Sequence, residues 1–485
     1  MNRDAWQPLL DRLAERREAA RAMGGAEKLA KRAERGRATA RGTIERLADP
    51  GTFTEFGELA GTDVPADAFV AGWASIDGRP VFIGAEDGSV AGGSIGTAGA
   101  TKRARLIELA GRERRPLILV LDGAGHRATN ALQPHRPAPN DLQGLADLAQ
   151  VVPIATIVIG PSAGHGALAA PLSDYCVLVS GHGVLFTAGP PLVAAASGEQ
   201  VSVAELGGPE VHLANGLAHA EAPDVAAAGQ RVRRWLSYLP PSAGEAPPRE
   251  FTGSDLGPRS TDALLDLIPV DPRTPYDMAE VIAEVCDAGS VFDWQPGYGP
   301  SLLCALARLG GHTVAVVANQ PRVLAGSLDV AAAEKGARFL EFCGAFGLPV
   351  LFLTDNPGVL AGSASERAGI LRASARMFGA QRRLRAPKLQ VTIRKAFGFG
   401  SSVMAANPFD HQSVSLALPT ATLGGIPAKV GGETAKEDDA TREALAANES
   451  AGPWRGASVG TWDDIVDPRE LRNALLAVLT RGEGA

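Results

Sequence analysis

The sequence predicts a layered α/β fold built twice, and three observations carry that expectation. The chain has 485 residues, more than one compact core accommodates, so two or more domains are expected. Gly78, Val81, Gly93, Ser94, Lys102, Asp122 and Gly125 recur 233 positions later, without a gap, as Gly311, Val314, Gly326, Ser327, Lys335, Asp355 and Gly358. Each copy also reads as strand, glycine turn, helix and strand, the order of a crossover βαβ unit.

The elements follow in chain order. A charged helix is expected over Trp6 to Arg35, ahead of the first copy. Val81 to Ala85 and Leu117 to Leu121 are short apolar strands, answered by Val314 to Ala318 and Val350 to Thr354. Ala331 to Phe346 has helical spacing. A second shared unit follows at an offset of 234: Pro153, Gly164 and Gly166 become Pro387, Gly398 and Gly400. The strand Ile154 to Ile159 thus runs into Gly160-Pro161-Ser162-Ala163-Gly164-His165-Gly166, matched by Arg394-Lys395-Ala396-Phe397-Gly398-Phe399-Gly400. Prolines bracket 242–258 as the expected linker, which divides the chain into domains 1–245 and 246–485.

Composition narrows the class. Hydrophobic residues are 45% and charged residues 21%, so a globular chain is expected and the 57 glycines mark turns, not disorder. A net charge of −7 gives no general support for a nucleic-acid surface. Cys176, Cys286, Cys304 and Cys343 form no CxxC pair, which argues against a zinc ribbon and for a reducing compartment; no metal site is expected. No apolar run reaches the roughly 18 residues of a membrane span. The charged N-terminus is unlike a signal peptide, so a soluble, cytoplasmic protein is expected. The cluster Arg231, Arg233 and Arg234 reads as a solvated helix face, with ligand phosphates as the minority reading.

A strand that breaks at glycine and opens a helix aims backbone N–H groups at a cleft, near the positive end of the helix dipole. Such a turn suits a phosphate or an oxygen gaining negative charge. GxxxxGK[ST] is absent, so phosphate binding of the P-loop type is unsupported. Two related turns suggest two developing oxyanions. Close helix–strand packing is the alternative reading of the same glycines.

At these residues the chain resembles the carboxyltransferase (β) subunit of biotin-dependent acyl-CoA carboxylases, of the propionyl- and acetyl-CoA type. The resemblance covers nearly the whole length. It includes Gly92-Gly93-Ser94-Ile95-Gly96, Gly160-Pro161-Ser162-Ala163-Gly164, Val317-Ala318-Asn319-Gln320-Pro321, Arg394-Lys395-Ala396-Phe397-Gly398 and Trp462-Asp463-Asp464-Ile465-Val466-Asp467-Pro468. It implies a crotonase-type fold in both halves. It also implies a hexamer built as a trimer of dimers, with each active site between the first half of one subunit and the second half of its neighbour. Biotin is expected on a separate carrier protein, with a separate biotin carboxylase; this chain has no Met-Lys-Met carrier motif and no covalent cofactor is expected.

The reaction implied is carboxyl transfer from carboxybiotin to the α-carbon of an acyl-CoA. CO2 is released, biotin takes the α-proton, and the thioester enolate attacks the CO2. Two oxyanions need two pre-aimed donor pairs. The resemblance places them on the backbone N–H groups of Gly164 and His165, for CoA, and of Phe399 and Gly400, for biotin. Gly125, His126, Arg127 and Ser402 are the expected substrate-binding residues. The sequence departs from the family at several of these: His165 and Phe399 replace glycines, and Ser402 replaces a carboxylate. The imidazole of His165 reads either as a general base or as a spectator on a backbone donor. His126 reads as a loop residue or a catalyst, Arg127 as an anion holder or a structural ion pair, and Phe399 as a pocket wall or a plug. Two further functions stay open: a repurposed acyl-CoA decarboxylase or biotin-independent enolate or acyl-transfer enzyme, and a non-catalytic paralogue subunit.

Overall fold

The computed structural model describes residues 2–61, 66–132, 140–250, 253 and 255–481. The chain divides into two compact units, Met1–Ser237 with Pro241–Ala243, and Tyr238–Pro240 with Gly244–Ala485.

The first unit holds strands β1 (Thr54–Phe56), β2 (Phe69–Ile76), β3 (Arg79–Glu86), β4 (Leu117–Leu121), β5 (Ile154–Val158), β6 (Pro161–Ala163), β7 (Tyr175–Val179), β8 (Val184–Phe186) and β9 (Ala220–Ala222). Seven of them form one sheet in the order β1-β2-β3-β4-β5-β7-β9, and β6 pairs with β8 apart from it. The β1-β2-β3 edge is antiparallel and the rest is parallel. Parallel strands are covered on both faces, which explains why Leu-Ile-Leu-Val-Leu of β4 and Ile-Ala-Thr-Ile-Val of β5 are buried at every position.

The second unit repeats the plan with β10 (Phe292–Asp293), β11 (Leu302–Leu309), β12 (His312–Asn319), β13 (Val350–Asn356), β14 (Lys388–Phe397), β15 (Val414–Ala417), β16 (Thr422–Gly424) and β17 (Asp464–Ile465). Its order is β10-β11-β12-β13-β14-β15-β17, with β16 on the end of β14. The register repeats too: Leu117 pairs with Ile154, and Val350 with Lys388, their counterparts at offsets of 233 and 234. The helix Val330–Ala345 agrees with its sequence spacing; Asp329 caps it by accepting from Ala332 N–H at 2.8 Å.

Backbone strain repeats as well. Gly93 and Gly326 have φ of 72° and 85°, and a Cβ on either would lie 2.1 Å from Asp122 O or 2.3 Å from Asp355 O. Only glycine fits those two turns.

Two local expectations are corrected. The N-terminal helix is two helices, Asn2–Arg21 and Ala26–Glu34. The chain turns between them at Gly24, where a Cβ would meet Ser89 O at 2.2 Å, and Gly25, at φ 88°. The 242–258 segment is not a free tether. Ser242 is buried, and Glu250 N–H donates to Gly311 O at 2.9 Å, while Arg308 donates to Pro248 O at 2.7 Å. Residues 251, 252 and 254 of that segment lie outside the described residues. No helix among the described residues is long and apolar enough to cross a membrane.

Candidate active site

Each unit brings two glycine turns together at the ends of its parallel strands. In the first unit one turn follows β4 and the other joins β6 to the four-residue helix Gly164–Ala167. Gly125, at φ 80°, would place a Cβ 2.6 Å from Ala163 O, so the turns touch through backbone. Ala163 N–H donates to Gly123 O at 3.1 Å across the same seam. Gly164 has φ 55°, a left-handed conformation that swings the following N–H groups into the opening of the helix. The first N–H groups of a helix have no acceptor within it.

The second unit has the same arrangement. Gly398 has φ 58° at the start of the helix Gly398–Val403. A Cβ on Gly400 would lie 2.2 Å from Asn356 Oδ1 and 2.6 Å from Gly358 Cα, so this turn also seats against the one after β13.

One feature of both turns has no signature in residue types. Ile95 N–H donates to Gly125 O at 2.7 Å and Arg127 N–H donates to Ile95 O at 3.0 Å. This short parallel bridge passes over His126, whose own N–H therefore faces the other way. Leu328 makes the same bridge around Val359, with Gly358 O and Leu360 N–H. The imidazole marks His126 in the sequence, whereas nothing in its residue type marks Val359.

The side chains of these residues have definite partners. Arg127 donates to Asp67 Oδ1 at 2.5 Å and to Ser94 Oγ and O at 3.1 and 2.9 Å, which is the ion-pair arrangement. His126 is exposed, its ring 3.2 Å from Asn130 Nδ2. Phe399 is 38% exposed and packs against Phe378 with ring centroids 5.7 Å apart. Ser402 Oγ accepts from Asn407 Nδ2 at 2.7 Å. Arg233 departs from the solvated-face reading: its guanidinium holds Asp49 Oδ1 at 3.0 Å and Leu47 O at 3.1 Å, and it also donates to Asp77.

His165 is anchored. Its Nε2 lies 2.5 Å from Asp141 Oδ1, and a carboxylate only accepts, so Nε2 carries the hydrogen. Asp141 Oδ2 takes Arg103 Nε at 2.7 Å, and Arg103 Nη1 reaches Glu86 Oε1 at 2.8 Å. Glu86 Oε2 then accepts the Asp122 N–H at 2.7 Å. Burial works against charge on Asp141, yet the His165 hydrogen bond and the Arg103 charge hold its carboxyl well below the usual range. Burial likewise opposes charge on Arg103, and Glu86 and Asp141 more than restore it.

Glycine-built turns that open helices, paired once in each of two α/β units, suit an oxygen that gains negative charge. Comparison with known proteins is more specific. The model of the family described as "Carboxyl transferase domain" matches residues 31–480. The propionyl-CoA carboxylase carboxyltransferase subunit of Haloferax mediterranei is 35% identical, over 97% of this chain and 95% of its own. The methylmalonyl-CoA carboxyltransferase 12S subunit of Propionibacterium freudenreichii subsp. shermanii is 33% identical, over 97% and 93%. A crystal structure of transcarboxylase 12S, described as a hexamer with methylmalonyl-coenzyme A and methylmalonic acid bound, superposes with a TM-score of 0.90. It is 32% identical and covers 97% of this chain and 94% of that one. The chain belongs to the carboxyl transferase family, with the crotonase-like fold of its acyl-CoA members.

Proposed function

We propose that the chain is the carboxyltransferase subunit of an acyl-CoA carboxylase, exchanging a carboxyl group between a carried biotin and the α-carbon of an acyl-CoA. The observation that carries this reading is the duplication of the paired glycine turns, because the reaction develops negative charge on two different oxygens. Domains 1–245 and 246–485 are each one carboxyltransferase half in this reading.

In the first half, the N–H groups of Gly164 and His165 receive the thioester oxygen as enolate charge grows on it. Gly125 keeps that approach clear of any side chain, and Arg127 holds the turn through Asp67. In the second half, the N–H groups of Phe399 and Gly400 receive the ureido oxygen. The fit is one of donors: a cradle of backbone N–H groups with no room for a Cβ at Gly400 suits a planar, neutral carbonyl. Phe399 and Ser402 line the approach. Biotin, when presented on its carrier, supplies the carboxyl group and the base; the chain supplies orientation and charge stabilisation.

Assembly as a hexamer, a separate biotin carboxylase and carrier as partners, and a cytoplasmic location complete the proposal, supported by the hexameric relative of known structure. The test is transfer of isotopic label from carboxylated biotin carrier to propionyl-CoA by the purified protein. Label should appear in the carboxyacyl-CoA only when both substrates are present. A folded protein that labels none of a panel of short to long acyl-CoAs, or decarboxylates carboxyacyl-CoAs equally well without biotin, overturns the reading.

A further inference from the structure

The buried chain of charges in the first unit runs from one donor turn to the other. It begins at the Asp122 N–H, at the entry to the turn containing Gly125 and His126. It passes through Glu86, Arg103 and Asp141, and ends on the His165 ring, in the turn containing Gly164. Glu86, Arg103 and Asp141 are 2%, 3% and 5% exposed, so the links are screened little by solvent. Gly166 packs against the same chain, where a Cβ would lie 3.0 Å from Glu86 Oε1. Oxyanion stabilisation depends on donors held before the charge arrives, and misplacement of about 1 Å costs on the order of 100-fold in rate.

We infer that His165 is a positioning residue: through its ring, Asp141, Arg103 and Glu86 clamp the two donor turns of the first unit at a fixed separation around the acyl-CoA thioester oxygen. This rests on the acyl-CoA reading of that unit. It assigns the side chain a task that neither a general base nor a spectator performs. The ring acts through its Nε2–H, which a glutamine amide reproduces; a base acts through a titrating lone pair, which glutamine lacks.

The experiment measures the carbonyl stretch of propionyl-CoA, isotopically labelled at the thioester carbon, bound to the intact protein, alongside kcat and KM for carboxyl transfer. Wild type lowers the stretch relative to free propionyl-CoA. His165→Ala loses most of that shift and kcat falls about 10-fold or more, with KM changed less than about threefold. His165→Gln recovers at least half of the shift and of kcat, and Asp141→Asn, which leaves the ring in place, loses the shift in the same sense as His165→Ala. A full shift and full kcat in His165→Ala overturn the inference while leaving the acyl-CoA reading intact. An inactive His165→Gln that retains the shift also overturns it, in favour of a base. Absence of any shift in wild type, with binding shown by calorimetry, removes the placement of the thioester oxygen on these donors and the inference with it; absence of binding removes the acyl-CoA reading itself.

Discussion

The two units solve the same folding problem with different charges. Asp122, just past β4, and Asp355, the penultimate residue of β13, occupy equivalent places, and both are buried. In the first unit the guanidinium groups come from far away in sequence: Arg32 reaches Asp122 Oδ2 at 2.6 Å, and Arg37 binds Oδ1. Gly160 makes room for them, since a Cβ there would meet Arg37 Nη2 and Asp122 Oδ1, each at 1.9 Å. In the second unit the residue at the Gly160 position is Arg394 itself, bound to Asp355 Oδ2 at 2.7 Å and stacked 4.6 Å over the Tyr276 ring. Burial, then the Asp355 charge, push the Tyr276 hydroxyl well above its ordinary range, so it remains a donor, 3.0 Å from Asp355 Oδ2.

The contrast continues toward the donor turns. Glu86 is answered by Asn319, whose Oδ1 accepts the Asp355 N–H at 3.1 Å, a neutral copy of the Glu86–Asp122 contact. Arg103 is answered by Gly336, where a Cβ would lie 2.6 Å from Met377 Sδ. His165 is answered by Phe399. The first unit ties its turns with an ionic chain, and the second with amides and hydrocarbon. Equivalent backbone geometry therefore does not require equivalent electrostatics.

The largest expected effect separates the two arginine solutions. Arg394→Met leaves Asp355 buried, with Lys395 at 3.6 Å as its remaining cation, and should cost about 3–5 kcal/mol. Arg37→Met leaves Arg32 in place on Asp122 and should cost less, about 1–3 kcal/mol. Urea unfolding of the two variants checks the order. Equal losses would show that the nearer arginine is not the dominant partner in the second unit.

How much of this was legible depends on whether residues recur. Gly93, Gly125, Gly164, Asp122 and their counterparts carry the repeat because a backbone turn or a buried carboxylate leaves few substitutes, and the fold followed from them. The ionic chain left no such trace. Arg103 and Asp141 are 38 positions apart in sequence, and Glu86 and Arg103 are 17 apart, so no helical or strand spacing links them. Arg32 read only as part of a charged helix because its partner lies 90 positions away. His165 was visible as a departure from the family, but its role waited on Asp141, which no motif marks.

A smaller effect concerns acid. The Asp141 carboxyl is held below its unfolded value, so its contribution to stability is full above about pH 4 and fades as pH falls toward the depressed native value. Asp141→Asn removes that contribution. Its melting temperature should be lower than wild type at pH 6, and the gap should narrow as pH is lowered from about 4 to 2. Among the described residues the second unit has no aspartate–histidine link at the corresponding turn, so Phe399→Leu should shift melting by a similar amount at both ends of this range. A gap for Asp141→Asn that stays constant with pH would mean that its ionic links do not stabilise the first unit.

The smallest stability effect is at Phe399, and there the kinetic consequence becomes readable. The ring is more than a third exposed and its aromatic contact is with Phe378, so Phe399→Ala should cost about 1 kcal/mol. The backbone N–H at 399 survives the change. If the side chain walls the approach to the second unit's turn, Phe399→Ala combined with Ser402→Asp enlarges that approach and adds a carboxylate beside Asn407, the present partner of Ser402. The ratio of kcat/KM values between short and long acyl-CoAs should then change by severalfold, because differential contacts in the transition state set such ratios. Rates for both substrates falling by the same factor would instead place Phe399 and Ser402 in support of the turn. Unchanged rates in a well-folded double variant would remove both residues from the site, and the charge contrast between the units would then be confined to their cores.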